Sequence, residues 1–184
     1  MIVTLLRHYK VNYSWQGSYT PDGYRAAMRE YDNADVVDQT IKLNMNYQMV
    51  FISSLPRTLS TFKYLKIDGQ YIETPLLNEV PMEPFTDKPK EYTFAKLNIR
   101  ARLQWMFNRS RQPETRKMTT ERAKEFITKH LTGGMNYLII GHGFFLRVLS
   151  KEMLKHGFKG KQIVYMRNGE PYTYFRDTER DESR

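Results

Sequence analysis

Short apolar segments alternate along this chain with segments of helical pattern, and this alternation limits the possible folds more than any other feature. The clearest apolar segments are Met1–Leu6, Gln48–Ser53 and Asn136–Gly141, and a shorter one is Tyr71–Thr74. We interpret each of them as a strand. Strands that alternate with helices are typical of an α/β fold with a mainly parallel central sheet. The length of 184 residues fits one domain spanning residues 1–184.

Helices are predicted between these strands from their caps and their apolar spacing. The first begins at Thr20-Pro21, because threonine is a favourable N-cap and proline suits the first helical position. The dipeptide Gly133-Gly134 ends the fourth. The others are expected at about Pro56–Lys66, Tyr92–Ser110, from Thr119 or Thr120 to Leu131, and Phe144–Lys155.

The end of the chain carries a hairpin pattern. The apolar segment 163–167 is followed by Asn168-Gly169 and then by 172–176, in which apolar and polar residues alternate. An Asn-Gly pair between two such segments predicts a β-hairpin. The charged tail 177–184 is expected to fray.

Composition excludes several classes of protein. The chain has no cysteine, which rules out disulfides, thiolate metal sites and a cysteine nucleophile. No apolar run approaches the roughly 20 residues needed to cross a bilayer. The charged Arg7 comes too early for a secretory signal. We therefore expect a cytoplasmic protein with no membrane partner.

Polar side chains follow three of the predicted strands. The first strand runs into Arg7-His8, the second into a segment that ends at Arg57, and a later one into His142. Parallel strands place their carboxyl ends at one edge of the sheet, where open α/β folds bind ligands. Either histidine taken alone is better explained as a structural residue, but two histidines and two arginines together indicate a site.

Two arginines beside two histidines favour a site for a phosphoryl group. Guanidinium groups hold phosphoryl oxygens in a bidentate way, and they disfavour protonation of a nearby imidazole, which leaves a neutral nitrogen able to attack. Glu79 could protonate the departing oxygen. The sequence carries no metal-binding motif and no Walker loop, so we expect neither a metal nor another cofactor.

These motifs resemble those of the histidine phosphatase superfamily, in its phosphoglycerate-mutase-like branch. The resemblance covers residues 1 to about 150 and rests on Leu6-Arg7-His8, Ser53-x-x-x-Arg57-Thr58-x-x-Thr61, Leu77-x-Glu79 and Gly141-His142-Gly143. It implies a three-layer α/β/α sandwich of phosphoglycerate-mutase-like fold and a phosphohistidine intermediate. By this resemblance, His8 is the nucleophile and Glu79 the proton donor, while Arg7, Arg57 and His142 bind the phosphoryl group.

The sequence departs from the family pattern after His8. Tyr9 stands where the family usually has glycine. Val11 stands where the family commonly has Thr or Ser, and Ser14 stands where it commonly has Asn. Tyr9 is expected to narrow the entrance or to stack on an organic group. The remaining candidate substrate-binding residues are Lys10, Asn12, Ser14 and Gly143. Lys10 is equally well explained as an ordinary loop lysine.

Most of the positive charge lies in residues 87–129, called here the basic segment. It holds 12 basic and 5 acidic residues, which is +7 of the net charge of +9. One interpretation is a helix with a solvated basic face. The other is a helical segment that overhangs the active site and attracts anionic substrates. No nucleic-acid-binding motif accompanies the charge, so no nucleic-acid partner is expected.

The sequence therefore predicts a metal-independent phosphatase that hydrolyses phosphomonoesters through a phosphohistidine, with a small anionic phosphorylated molecule as substrate. Two alternatives stay open, a phosphoglycerate-type mutase and a non-catalytic module that binds phosphorylated ligands. The catalytic residues identify neither the substrate nor the oligomeric state.

Overall fold

A five-stranded, mainly parallel sheet forms the centre of the computed structural model, which describes residues 1–41, 43, 45–67 and 70–177. The strands lie in the spatial order β4-β3-β6-β1-β7. A separate two-stranded ribbon pairs β2 with β5. The seven strands are β1 (Ile2–Arg7), β2 (Ser18–Tyr19), β3 (Met49–Ile52), β4 (Tyr71–Glu73), β5 (Tyr92–Thr93), β6 (Asn136–Gly141) and β7 (Pro171–Phe175).

The described residues form five α-helices. As predicted, Thr20 caps the first helix and Pro21 is its first residue. The side-chain oxygen of Thr20 accepts a hydrogen bond from the Gly23 amide. A single 3₁₀ turn at Pro75–Leu77 precedes Glu79. The helices are α1 (Pro21–Asn33), α2 (Pro56–Leu65), α3 (Phe94–Met106), α4 (Arg116–His130) and α5 (Gly143–Lys155).

Side chains of the central strands point alternately to two apolar layers, which makes the expected three-layer sandwich. On one face Leu5 and Ile139 pack with residues of α4 and α5, such as Phe126 and Leu149. On the other face Leu6 and its neighbours in β3 and β6 pack against α2. A smaller cluster joins α1 and α3 to the two-stranded ribbon.

The register of the sheet places the predicted site residues next to one another at the carboxyl ends of neighbouring strands. β1 pairs in parallel with β6, with Arg7 opposite Gly141. β3 pairs with the other side of β6, with Ile52 opposite Ile140. His8, Ser53 and His142 therefore leave the sheet side by side.

The prediction of a C-terminal hairpin is wrong. Residues 163–167 form no strand, and β7 pairs antiparallel with β1 instead. Gly169 still turns the chain, at φ +71°. The irregular segment is held by its buried side chains Ile163 and Met166 in the core beside α5. The edge of β1 offers a long partner to β7, so tertiary pairing replaces the local hairpin. Of the tail predicted to fray, 178–184 lie outside the described residues.

Two helix boundaries also differ from the sequence prediction. α4 begins earlier, because Thr115 rather than Thr119 or Thr120 caps it. Thr119 is buried inside the helix, where its hydroxyl accepts a hydrogen bond from the Trp105 indole at 2.9 Å. α3 is shorter than the predicted 92–110 and is capped by Thr93.

Within the described ranges, no helix is both long enough and apolar enough to cross a membrane.

The core assignment predicts a large stability difference between two isoleucines. Ile139, fully buried in β6, contrasts with Ile99 of α3, which is 61% exposed. Ile139→Ala should lower the free energy of unfolding by about 2–5 kcal/mol, since it removes buried methyl groups and leaves a cavity. Ile99→Ala should leave it nearly unchanged. Urea denaturation with an unchanged m-value measures both, and equal effects would contradict the assignment.

Candidate active site

The carboxyl ends of β1, β3 and β6 bring the predicted histidines and Arg57 together. The imidazole rings of His8 and His142 lie with their centroids 5.1 Å apart. The Arg57 Nε donates a hydrogen bond to His142 Nδ1 at 3.2 Å. All three side chains are buried. The site is thus a buried cluster of one guanidinium and two imidazoles.

His8 is held with one particular ring nitrogen free. Its Nδ1 lies 2.7 Å from the carbonyl oxygen of Tyr9. A carbonyl oxygen can only accept, so Nδ1 carries the proton and the lone pair of the neutral ring lies on Nε2. Burial, followed by the charges of Arg57 and Arg7, holds the pKa of His8 well below its ordinary value, although the Tyr9 carbonyl acts in the opposite direction. His8 is therefore neutral at pH 7, with its lone pair on Nε2.

His142 uses both ring nitrogens inside the protein. Nδ1 accepts from Arg57, so Nε2 carries the proton and donates to the Ser53 hydroxyl at 2.6 Å. Burial, and then the charge of Arg57, hold its pKa well below the ordinary value. His142 has no exposed surface, and it is absent from the wall of the adjoining cavity. In this structure it holds Arg57 in place and offers no proton to a ligand.

The threonine of the second motif supports the loop after His8. The Thr61 hydroxyl donates to the Arg57 carbonyl at 2.7 Å and accepts from the Tyr9 amide at 2.9 Å. It therefore ties the strand exit that carries His8 to the helix that carries Arg57.

Arg7 crosses the start of α5 at very close range. Its Nη1 donates to the carbonyl of Met166 at 2.9 Å, and its buried Nε has no hydrogen-bond partner among the described residues. A Cβ atom on Gly143 would lie only 3.0 Å from that Nε. The absence of a side chain at position 143 therefore lets Arg7 pass this close to the start of α5 without being displaced.

Glu79 lies at the N-terminus of α5. Its carboxylate accepts three backbone amides, those of Val80 at 2.9 Å, Phe144 at 3.2 Å and Phe145 at 2.9 Å. The free amides of a helix N-terminus are natural partners for a carboxylate. They fix the orientation of Glu79 at the edge of the cavity.

A cavity of about 610 Å³ opens next to His8. Part of its wall is aromatic, with the Trp15 ring 4.6 Å from Phe94 and 5.0 Å from Tyr31 between centroids. An adjoining chamber of about 410 Å³ shares Arg7, Glu79 and Arg102 with it. The charged side chains that line the larger cavity are Arg7, Asp32, Arg57, Glu79, Arg102, Glu114 and Arg122.

Several predicted site residues lie elsewhere. Lys10, Asn12 and Ser14 are exposed and do not line the cavity. Tyr9 neither narrows the entrance nor faces a ligand, because its ring is buried among Val11 and Val36. Of the sequence-predicted substrate-binding residues, Arg7 and Arg57 line the larger cavity and Gly143 lines the smaller one.

No sequence pattern indicated Asp32. Its carboxylate forms an ion pair with Arg57, at 2.8 Å between Oδ1 and Nη1, and it lines the cavity. The preceding Tyr31 places its ring 5.2 Å from the Arg57 guanidinium carbon. Neither residue belongs to a recognisable motif. Only their position in the last turn of a helix beside the sheet edge could have suggested them.

The donor set of the described residues contains no group of three or more His, Asp or Glu side chains placed to hold a metal ion.

The fold resembles that of several solved phosphatases. The alpha-ribazole phosphatase of Shigella flexneri aligns with a TM-score of 0.57 and 19% identity, covering 94% of this chain and 89% of that one. A mycobacterial glucosyl-3-phosphoglycerate phosphatase aligns at 0.53 and 17%, covering 94% and 88%. The phosphoserine phosphatase of Entamoeba histolytica aligns at 0.53 and 16%, covering 95% and 90%. No curated protein matches significantly in sequence.

A family model provides the sequence-level evidence. The model of the histidine phosphatase superfamily (branch 1) matches residues 29–174. The match begins after Arg7-His8, but it includes Arg57, Glu79 and His142. Since it extends over most of the chain and the folds agree, this protein belongs to branch 1 of the histidine phosphatase superfamily.

Proposed function

We propose that the protein is a phosphatase that hydrolyses phosphomonoesters through a phosphohistidine on His8, without a metal. The observation that carries this proposal is the hydrogen bond from His8 Nδ1 to the Tyr9 carbonyl. It leaves the lone pair of a neutral imidazole on Nε2 in a cavity that also contains Arg7 and Arg57. Membership of a phosphatase superfamily supports the same reaction class.

The first half-reaction transfers the phosphoryl group to the protein. His8 Nε2 attacks phosphorus in line with the ester oxygen, a P–N bond forms, and the P–O bond to the alcohol breaks. Arg7 and Arg57 stabilise the negative charge on the equatorial oxygens, as positioned cations do in other phosphoryl transfers. Glu79 enters this step as the neutral acid, gives its proton to the leaving alkoxide, and is left as the carboxylate that the backbone amides at the start of α5 stabilise.

The second half-reaction restores the protein. Glu79, now a carboxylate, takes a proton from a water molecule that attacks the phosphohistidine. The P–N bond breaks, orthophosphate forms, and His8 recovers its lone pair on Nε2. Glu79 lines both chambers, so it can serve the leaving group in one step and water in the next.

The first prediction concerns the nucleophile. His8→Ala should lower kcat for hydrolysis of p-nitrophenyl phosphate in EDTA by about 10⁴-fold or more, because the covalent route is lost. His156→Gln is the matched control, since His156 lies at the end of α5 and lines neither chamber. Its activity should be retained. Wild-type protein quenched during turnover of a ³²P-labelled ester should carry acid-labile phosphate, and the His8→Ala variant should carry none.

Hydrolysis that survives in His8→Ala would contradict the proposed nucleophile. Phosphoryl exchange between two esters with little release of orthophosphate would indicate a mutase instead. Tight phosphate binding with no turnover in the wild type would indicate a binding module.

The second prediction concerns the protonation of the two histidines. ¹⁵N NMR should show His8 protonated at Nδ1 and His142 at Nε2, both neutral below pH 6.5, because burial and the arginines lower each pKa. The unfolded chain binds these protons at about pH 6.5. It therefore binds more protons than the folded protein at lower pH, and the free energy of unfolding should fall as the pH drops below that value. Ordinary titration of both rings near pH 6.5 would contradict the assignment.

For the basic segment we propose a role in binding the alcohol part of the substrate. Most basic side chains of this segment are solvent-exposed or paired on the surface, but Arg102 lines both chambers. Its guanidinium carbon lies 3.5 Å from the centroid of the Phe144 ring, and burial lowers its pKa. Its buried Nη1 has no hydrogen-bond partner among the described residues. A second anionic group on the substrate would satisfy this nitrogen.

The size and wall of the cavity support an organic phosphate larger than orthophosphate itself. The structural neighbours are named as an alpha-ribazole phosphatase, a glucosyl-3-phosphoglycerate phosphatase and a phosphoserine phosphatase, and each name indicates a phosphorylated organic substrate. For the present protein, we infer an anionic phosphomonoester of comparable kind.

The third prediction tests Arg102 with paired substrates. ω-Carboxyalkyl phosphates of increasing length should each be hydrolysed with a lower KM than their neutral carboxamides. Arg102→Met should raise the KM of the best carboxylate roughly 10- to 100-fold, because a charge-assisted hydrogen bond is lost, and should leave the carboxamide unaffected. Arg100→Met, on the same helix and outside the cavity wall, is the control. Equal effects on both substrates would contradict the role.

A further inference from the structure

Arg57 is a buried cation that needs an anion whether or not substrate is bound. Its side chain is only 3% exposed, and its Nε is used by His142. A buried guanidinium without a counter-ion is costly. In the free protein that counter-ion is Asp32, whose Oδ1 lies 2.8 Å from Arg57 Nη1.

The position of Asp32 is not explained by the stability of its own helix. It lies in the last turn of α1, where the helix dipole is negative and disfavours a carboxylate. That turn contains no basic residue to compensate. Asp32 is 41% exposed and lines the same cavity as His8. The one strong polar contact that its carboxylate makes among the described residues is with the phosphoryl-binding arginine.

We propose that Asp32 is an internal competitor for the phosphoryl group and thereby sets the affinity of the site for phosphate. It neutralises Arg57 in the free protein. An incoming phosphoryl group takes over Arg57 either by displacing the carboxylate or by binding beside it, and in both cases the negative charge of Asp32 opposes the new anion. The site consequently holds orthophosphate, the product, less tightly than two arginines alone would. The inference rests on the proposed function, since it requires phosphate to bind next to His8.

Binding of orthophosphate and of vanadate to the intact protein tests this inference. Asp32→Asn keeps an oxygen that can accept from Arg57 but removes the charge, and Asp32→Ala removes both. Each variant should bind both anions roughly 2- to 5-fold more tightly than the wild type, the range expected for a partly exposed ion pair. Calorimetry gives the Kd, and the shift of the His8 resonances confirms that the anion binds at this site.

Asp22→Asn is the matched control. It lies in the first turn of the same helix, its side chain is 94% exposed, and it changes the net charge by the same amount. Its Kd for orthophosphate should equal that of the wild type. A comparable tightening would show that net charge alone accounts for the effect and would overturn the proposal.

The two Asp32 variants also separate competition from positioning. If Asp32 served mainly to hold Arg57 in place, Asp32→Ala would weaken anion binding, and Asp32→Asn would weaken it less or leave it unchanged. Either result overturns the proposal. Failure of the proposed function looks different, because no variant would then bind orthophosphate near His8 and His8→Ala would retain full hydrolysis. Thermal unfolding verifies that each variant is folded.

Discussion

β1 and β6 lie side by side and parallel at the centre of the sheet, with Arg7 opposite Gly141. This pairing places the chain after β1 next to the start of α5, so that His8 and His142 meet with their ring centroids 5.1 Å apart. It also sends Arg7 across Gly143, where a Cβ atom would lie 3.0 Å from its Nε and would require Arg7 to shift. A shift of one residue in this register would exchange the two faces of the strand, burying the wrong side chains and separating the two histidines.

Charge among buried side chains governs the chemistry of the site. Burial and two guanidinium groups keep both imidazoles neutral. The two rings nevertheless have different tasks, because their hydrogen bonds differ. The single ring N–H of His8 donates a hydrogen bond to the Tyr9 carbonyl, which leaves the other ring nitrogen free. His142 accepts a hydrogen bond from Arg57 with one ring nitrogen and donates one to Ser53 with the other. One ring can therefore act as a nucleophile, while the other positions an arginine.

The net charge of the basic segment does not indicate which of its cations line the cavity. Most of its cations lie on the surface, some in ion pairs such as that of Arg111 with Asp87. Arg122 does line the cavity, but Glu114 and two carbonyls already satisfy its guanidinium. Arg102, by contrast, has a buried nitrogen without a partner among the described residues. The solvated-face interpretation thus describes most of the segment, and Arg102 is the residue for which we propose a contact with substrate.

Local patterns were enough to locate the parallel strands β1, β3, β4 and β6, the cap at Thr20 and the polar residues at the strand ends, because these depend on neighbouring residues and on the geometry of parallel sheets. The partner of β7 could not be found in this way, since Asn168-Gly169 encodes a turn but not the distant edge of β1 to which the chain returns. The burial of Tyr9 likewise depends on Val36, a residue far along the chain. Asp32 and Arg57 are separated by 25 residues and meet only when α1 packs beside the sheet edge. The sequence by itself determined which groups could perform phosphoryl transfer; only the tertiary structure decided which nitrogen of His8 is free and which carboxylate faces Arg57, because both depend on contacts between distant segments.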